Sequence, residues 1–130
     1  MRLLLDTHFV IWWLGASSKL GAATRQLIER SDCAVSVASL IEVRMLVIRG
    51  KLKLPPGENA HRQLSDEGFS ILALKPEHVE ESARFEQRHS DIYDRLLLAS
   101  AGFENRMLLT RDAALLALAQ EARLGWVVEG

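Results

Sequence analysis

The stretch Leu3-Leu4-Leu5-Asp6-Thr7 passes from three apolar residues to an acid and a threonine, which is typical of a buried strand that leads into a helix. Further short apolar runs predict strands at residues 33–37, 71–74, 107–110 and 126–128. Helical patterns lie between them, at residues 9–14, 20–30, 38–49, 58–67, 77–88, 91–104 and 112–122. Because strands that alternate with helices form parallel sheets covered on both faces, we expect an α/β fold with a central, mostly parallel sheet.

The composition predicts one soluble globular domain over residues 1–130. Of the 130 residues, 48% are hydrophobic and 25% are charged, and the net charge is −1. This balance does not indicate nucleic-acid binding, so any such activity requires a local site. The single Cys33 excludes an intramolecular disulfide and clustered Cys and His ligands for zinc are absent, which favours a cytoplasmic location. No signal peptide or membrane span is predicted, and Pro55-Pro56-Gly57 is expected to form a loop.

Two aspartates and one glutamate lie close to the ends of predicted strands. Asp6 comes directly after the first strand and Asp112 two residues after the fourth, so both belong at the edge where parallel strands end. Glu42 lies near the start of the helix after the second strand, among mostly apolar helical neighbours. Each acid also has a simpler explanation. Asp6 and Asp112 can be helix N-caps, and Glu42 can complete a capping box with Ser39.

Asp94 is the most informative acid, because it lies on an apolar face of the sixth predicted helix. Its helical neighbours include Leu97 and Leu98. Asp91 is expected to cap this helix and to form an ion pair with Arg95, four residues later. Asp94 has no such local partner, so a partly buried carboxylate is predicted there that requires a cation.

The four acids are expected to converge on one edge of the sheet. Neighbouring carboxylates cannot all stay ionised without a counter-charge, because like charges repel strongly in a partly buried site. Oxygen ligands without Cys or His suit Mg²⁺, with Mn²⁺ as a substitute, and such a site serves the attack of water on a phosphodiester. Asp94 takes part only if the first turn of its helix lies at this edge. The predicted catalytic and metal-binding residues are Asp6, Glu42, Asp94 and Asp112.

The segments that carry these acids resemble PIN-domain ribonucleases, above all the VapC-type toxins of bacterial toxin–antitoxin pairs. The resemblance extends over nearly the whole chain, through residues 3–8, 39–42, 89–97 and 109–112, with residues 50–55 similar to the stretch after the second acid-bearing helix. One departure is Ile92, where the family often has proline.

The resemblance implies a three-layer α/β/α sandwich that cleaves RNA as a Mg²⁺-dependent endoribonuclease and is inhibited by a small cognate antitoxin. It assigns metal binding to the same four acids, and it makes Thr7 and Thr110 polar supports beside them.

One basic cluster follows the second acid and can hold RNA phosphates. Cations near a helix end also interact favourably with the helix dipole, with Gly50 closing the helix, and we expect both roles. The candidate RNA-contacting residues are Arg44, Arg49, Lys51 and Lys53, joined by Arg95 and Arg111 beside two of the acids.

Four aromatic or histidine side chains have open roles. Trp12 and Trp13 point about 100° apart on a short helix, which makes both awkward to bury in one small domain and favours a homodimer or an antitoxin groove. His8 and His89 flank acids. We interpret both first as structural residues, with contact to RNA or support of a metal ligand as the alternative.

Two other functions remain open on the sequence. A housekeeping RNA-processing nuclease would keep the metal site and have no antitoxin. A catalytically idle binding module would use the acids only as helix caps. An aspartyl-phosphate phosphatase is disfavoured, because it requires a second aspartate two residues after Asp6, where His8 stands.

Overall fold

The computed structural model describes residues 1–53 and 59–130, in which five strands alternate with seven helices. The strands are β1 (Arg2–Leu5), β2 (Asp32–Ser36), β3 (Ser70–Leu72), β4 (Met107–Thr110) and β5 (Val127–Glu129). The helices are α1 (Thr7–Leu14), α2 (Ala22–Glu29), α3 (Val37–Ile48), α4 (Ala60–Asp66), α5 (Pro76–Ser82), α6 (Ile92–Phe103) and α7 (Ala113–Glu121). The loop predicted at Pro55-Pro56-Gly57 and the predicted helix start at residue 58 lie outside the described residues.

The strands form one parallel sheet in the order β3-β2-β1-β4-β5. Its central strand β1 is covered on both faces, because Leu3, Leu4 and Leu5 are all fully buried. Leu4 packs into a core shared with α6 and α7, whereas Leu3 and Leu5 pack into a second core with α1, α2 and α4. The predicted α/β fold, a three-layer α/β/α sandwich around a parallel sheet, is confirmed.

The fifth helix is shorter than the sequence pattern predicts. The prediction was a helix over residues 77–88, but α5 ends at Ser82 and a 3-10 turn (Ala83–Phe85) follows. The Ser82 hydroxyl donates to the backbone oxygen of Val79 at 2.6 Å and so competes with the helical ladder. The tighter turn buries Phe85 in the core. The other described boundaries differ from prediction by at most two residues.

The chain direction brings four helix starts to one edge of the sheet. Helices α1, α3 and α7 begin within three residues of the ends of β1, β2 and β4. Helix α6 leads back to the start of β4, so its own first turn lies at the carboxyl edge of the parallel sheet. Within the ranges that the structure describes, no helix is long and apolar enough to cross a membrane.

Candidate functional site

The carboxyl edge of the sheet brings Asp6, Glu42 and Asp94 near one another. Asp6 joins β1 to α1, Glu42 lies on α3, and Asp94 lies in the first turn of α6, as its predicted role requires. Asp6 is close enough to raise the pKa of both Glu42 and Asp94, after the larger effect of burial on each. The pKa of His8 is raised above its ordinary value, first by its hydrogen bond to Asp6 and then by the charges of all three carboxylates.

Asp6 is almost completely buried, with 3% of its surface exposed. One carboxylate oxygen accepts from the backbone N–H of His8 at 3.0 Å, which caps α1, and lies 3.5 Å from the His8 ring Nδ1. Burial alone would raise the pKa of Asp6, but the hydrogen bonds from His8 and Thr110 outweigh it and hold this pKa below its ordinary value. Asp6 is therefore both a helix cap and an ionised member of the site.

Glu42 does not complete the capping box that its spacing with Ser39 suggests. The N-cap of α3 is Ser36, whose hydroxyl accepts from the backbone N–H of Ala38 at 2.9 Å. The Ser39 hydroxyl is instead paired with that of Thr7 at 2.8 Å, in a buried contact between α3 and α1. The capping-box interpretation of Glu42 is wrong, because the helix begins one turn earlier than that interpretation requires.

The carboxylate of Glu42 lacks a partner for one of its oxygens. Its Oε1 atom is buried and makes no hydrogen bond in the described part of the chain. Burial raises the pKa of Glu42 above its ordinary value, against a hydrogen bond from the Thr7 side chain that lowers it, and the charges of Asp91 and Asp6 raise it further. A buried acceptor without a donor is unusual, and a bound cation or water would satisfy it.

Asp94 has a histidine as its partner. Its Oδ2 lies 2.7 Å from Nε2 of His89, and only 16% of the Asp94 side chain is exposed. Burial, with a contribution from the charges of Asp91 and Asp6, raises the pKa of Asp94 to about 6 against the opposing hydrogen bond from His89. The sequence predicted a carboxylate that requires a cation and did not identify His89 as the partner, since no local spacing rule joins residues five apart.

Asp91 caps α6 as predicted, by accepting from the backbone N–H of Asp94 at 3.0 Å. Its predicted ion pair with Arg95 is wrong. The Arg95 guanidinium instead donates to the backbone oxygens of His89 and Ser90 at 2.8 and 2.9 Å. Those carbonyls lie in the segment just before α6, so the Arg95 guanidinium points toward them and not toward the Asp91 carboxylate.

Asp112 is joined to the site through Thr110. The Asp112 carboxylate caps α7 by accepting from the backbone N–H of Leu115 at 2.9 Å. The Thr110 hydroxyl accepts from the backbone N–H of Asp112 at 3.0 Å and donates to the carboxylate of Asp6. Thr110 therefore ties the ends of two neighbouring strands together, as a support beside the acids.

The carboxylates of Asp6, Glu42 and Asp94 are the type of ligand that a hard divalent cation prefers. All the ligands would be carboxylate oxygens, and the orphaned Oε1 of Glu42 is an acceptor without a donor. As arranged, the described residues contain no group of three His, Cys, Asp or Glu side chains that could hold a metal ion. Asp6 and Asp94 are turned onto His8 and His89 instead.

The basic cluster lies beyond Glu42 along α3. Gly50 has a φ of +70° just after the helix, and the backbone N–H of Lys51 donates to Leu46, so Gly50 closes α3 as predicted. Arg49 is two helical turns from Glu42, about 10 Å along the axis. The exposed members of the cluster are Arg44, Arg49, Lys51 and Lys53.

Arg111, Trp12 and Trp13 each contact other side chains of this domain. The Arg111 guanidinium lies over the rings of Phe9 and Trp12 and donates to the backbone oxygens of Lys19 and Gly130, so it fastens the C-terminal end to α1. Trp12 packs edge-on against Phe9. Trp13 packs edge-on against Phe69 and donates to Glu67 at 2.6 Å. One domain therefore partly buries both rings, contrary to the expectation from their spacing.

Comparisons with known proteins agree with this architecture. VapBC2 from Rickettsia felis bound to a promoter DNA fragment is similar, with a TM-score of 0.64, 17% identity, and coverage of 100% of this chain and 98% of that chain. A toxin–antitoxin complex from Klebsiella pneumoniae has a TM-score of 0.64 and 18% identity, with 97% and 95% of the two chains covered. FitAcB from Neisseria gonorrhoeae has a TM-score of 0.62 and 21% identity, with 91% and 93% covered.

At these identities the structural likeness establishes the fold. Among curated proteins, none matches the chain. The family described as "PIN domain" matches residues 3–121, which include all four predicted acids. The chain belongs to the PIN domain family.

Proposed function

We propose that this chain is a metal-dependent endoribonuclease, a single catalytic domain over residues 1–130 that acts as the toxin of a toxin–antitoxin pair. One observation carries the nuclease proposal. Three carboxylates lie near one another at the carboxyl edge of the sheet, and one of them keeps a buried oxygen that has no partner among the residues that the structure describes. Membership of the PIN domain family and the ribonuclease motifs support the same activity.

Asp6, Glu42 and Asp94, with Asp112 at the margin, would hold Mg²⁺ or Mn²⁺. When bound, the ion supplies the Lewis acidity that activates water and offsets negative charge on the phosphodiester. Asp6 stays ionised because Thr110 and His8 hold its carboxylate by hydrogen bonds. These contacts fix the carboxylate in place before substrate arrives.

The exposed basic cluster would hold the RNA. Arg49 returns to the side of α3 that carries Glu42, two helical turns further on, and Lys51 and Lys53 follow the end of this helix. Arg44 lies about half a turn from Glu42 around the helix axis, so it would meet RNA on the other side of α3. Arg95 and Arg111 are weaker candidates than their positions suggested, because backbone carbonyls already accept from Nη1 of Arg95 and from Nε and Nη1 of Arg111. Replacing one cluster residue by alanine should weaken RNA binding and lower its salt dependence by about one unit of slope.

RNA cleavage tests the nuclease proposal directly. The purified chain should cleave RNA in Mg²⁺, lose the activity in EDTA and regain it when Mg²⁺ is restored. Glu42→Gln should abolish cleavage while the protein stays folded. Glu29→Gln, which makes the same charge change on the exposed end of α2, is the control and should leave cleavage unchanged. A folded wild-type chain that cleaves no RNA in Mg²⁺ or Mn²⁺ would contradict the proposal.

A catalytically idle module is the second candidate, and the capping contacts favour it. Asp6, Asp91 and Asp112 all serve as N-caps, as that hypothesis expects. Glu42 and Asp94 are not caps. Both side chains are partly buried, and this burial raises the pKa of each carboxyl group. Burying charge in this way has no benefit for helix capping, so the nuclease proposal accounts for more of the site.

A small antitoxin is the proposed partner, in a cytoplasmic complex in which the toxin is a homodimer. Relatives in fold are described as a toxin–antitoxin complex and as VapBC2 on promoter DNA. The carboxylates would also receive an arginine from a partner, since a guanidinium can bridge carboxylate oxygens. Expression of the chain alone should stop growth, and co-expression with the product of a short neighbouring gene should restore it. Harmless overexpression of active enzyme would favour the housekeeping nuclease instead.

A further inference from the structure

Asp94 is held by a histidine whose role the sequence left open. His89 is 10% exposed in its side chain, and its Nε2 lies 2.7 Å from Oδ2 of Asp94. A carboxylate can only accept a hydrogen bond, so Nε2 carries the proton and donates. Among the described contacts, Oδ1 of Asp94 accepts no hydrogen bond.

His89 is itself fixed from two sides. Its backbone N–H donates to the carbonyl of Phe85 at 3.0 Å, and Phe85 is buried in the core. Its backbone oxygen accepts from the Arg95 guanidinium at 2.8 Å, and the same guanidinium holds Ser90. The segment before α6 is thus fastened to the core at one end and to the first turns of α6 at the other. The imidazole reaches Asp94 from a backbone that cannot easily shift.

We infer that His89 is a positioning residue for Asp94: it donates Nε2–H to Oδ2, fixes the rotamer of the carboxylate, and leaves Oδ1 for the cation. Arg95 acts one step further away, by holding the backbone of His89. This inference rests on the proposed metal site. Ligands are commonly oriented by hydrogen bonds to groups behind them, and loss of such a group typically lowers metal affinity about 10- to 100-fold.

A purely structural role is the competing explanation. In that case His89 only satisfies a partly buried carboxylate, and its loss would lower stability without changing how the folded protein binds metal. The two explanations predict different results for side chains that do or do not carry an N–H donor at the distance of the imidazole Nε2. Glutamine places its amide Nε2–H the same number of bonds from Cα as the imidazole Nε2–H, whereas asparagine is one bond shorter and phenylalanine has no donor.

Calorimetric titration of the full chain with Mn²⁺ tests the inference, alongside thermal melts of each protein. Wild type and His89→Gln should have dissociation constants within about threefold of each other. His89→Asn and His89→Phe should bind Mn²⁺ about 10- to 100-fold more weakly, and RNA cleavage should follow the same order. His61→Gln and His61→Asn on the exposed surface of α4 are the matched controls and should bind as wild type does.

The outcomes separate this inference from the proposed function. If wild type binds Mn²⁺ and all His89 variants bind it equally, His89 is not a positioning residue even where their melting temperatures fall. If wild type binds no Mn²⁺ or Mg²⁺, the metal site itself is overturned, and the inference fails with it. If His89→Phe does not fold, the polar pair His89→Gln and His89→Asn still decides, because only the reach of the amide differs between them.

Discussion

Two aspartates three residues apart have different surroundings and therefore different roles. Asp91 is exposed and caps α6 through the backbone N–H of Asp94. Asp94 is turned inward onto His89, and burial raises its pKa to about 6. An ionised carboxylate in that position is costly unless a cation or a donor accompanies it. Function is therefore expected to depend on the negative charge of Asp94. At Asp91 it should require only an oxygen that accepts from the backbone N–H of Asp94.

Asparagine substitutions at these two positions should have unequal effects. Asp94→Asn should abolish RNA cleavage almost entirely, because the carboxylate that would hold the cation is lost. Asp91→Asn should keep most of the activity and cost at most about 1 kcal/mol of stability, since asparagine caps helices about as well as aspartate. Cleavage assays and urea unfolding of both variants measure the two effects. Equal loss of cleavage would show that the roles are divided wrongly.

At the scale of elements, α5 and α6 are joined by a buried histidine. His78 is fully buried, accepts from the backbone N–H of Lys75 through Nδ1, and donates to Glu104 through Nε2 at 3.0 Å. The Lys75 ammonium lies 2.7 Å from the same Glu104 oxygen. The hydrogen bond from Lys75, with a further one from His78, lowers the pKa of Glu104 below its ordinary value.

Removal of this acceptor should destabilise the protein. Glu104→Ala leaves the buried Nε2–H of His78 without a partner, and the expected loss is about 1–3 kcal/mol in urea unfolding at neutral pH. Glu104→Gln keeps an oxygen acceptor and should lose less. A lowered folded-state pKa means that the charge of Glu104 stabilises the fold above its unfolded-state pKa. The stability gap between wild type and Glu104→Gln should therefore shrink as the pH falls through the lowered pKa. A gap that stays constant with pH would contradict this.

A close approach of α6 to Trp126 leaves little room for a side chain at Gly102. A Cβ at Gly102 would lie 2.7 Å from a ring carbon of Trp126, whose Nε1 is fixed by donation to the Leu98 carbonyl at 2.9 Å. Alanine in a helix gains about 1 kcal/mol over glycine, but overpacking costs about 1–3 kcal/mol. Gly102→Ala should therefore be neutral to destabilising. Gly125→Ala, whose added Cβ would meet no atom of the described residues within 4 Å apart from its chain neighbours, should change stability little. A more stable Gly102→Ala would show that the Trp126 ring yields.

Sequence patterns predicted the elements well, because hydrophobic period and strand–helix alternation are local properties. They placed Asp6 and Asp112 at the sheet edge for the same reason, since each lies within two residues of the end of a strand. Contacts between distant segments were not accessible in this way. The pairing of Ser39 with Thr7 and the ties of Arg111 to Gly130 join elements that only the tertiary fold brings together. The early end of α5 depends on the hydrogen bond from the Ser82 hydroxyl to the Val79 carbonyl, and the spacing of hydrophobic residues cannot predict such a contact.

At the scale of the whole molecule, the ionised carboxylate of Glu42 lowers the stability of a metal-free fold. Glu42 has a raised pKa, so the folded state disfavours its charge, and Asp6 and Asp91 lie near it. Asp6 differs, because its hydrogen bonds lower its pKa and its charge is favourable in the fold. The charge to remove is therefore that of Glu42: its Oε1 makes no hydrogen bond within residues 1–53 and 59–130, and the amide oxygen of glutamine can still accept from Thr7.

Thermal melts in EDTA and in Mg²⁺ should separate a metal site from a coincidental group of acids. A cation that binds only the folded state stabilises it by RT ln(1+[L]/Kd), about 1.4 kcal/mol at ten times Kd. In EDTA, Glu42→Gln should melt no lower than wild type, because it removes a charge that the fold disfavours. In Mg²⁺ it should lose most of the rise that wild type shows, whereas Glu29→Gln should keep the full rise. If wild type shows no shift at millimolar Mg²⁺, these acids do not form a metal site, and the nuclease mechanism has no physical basis in this fold.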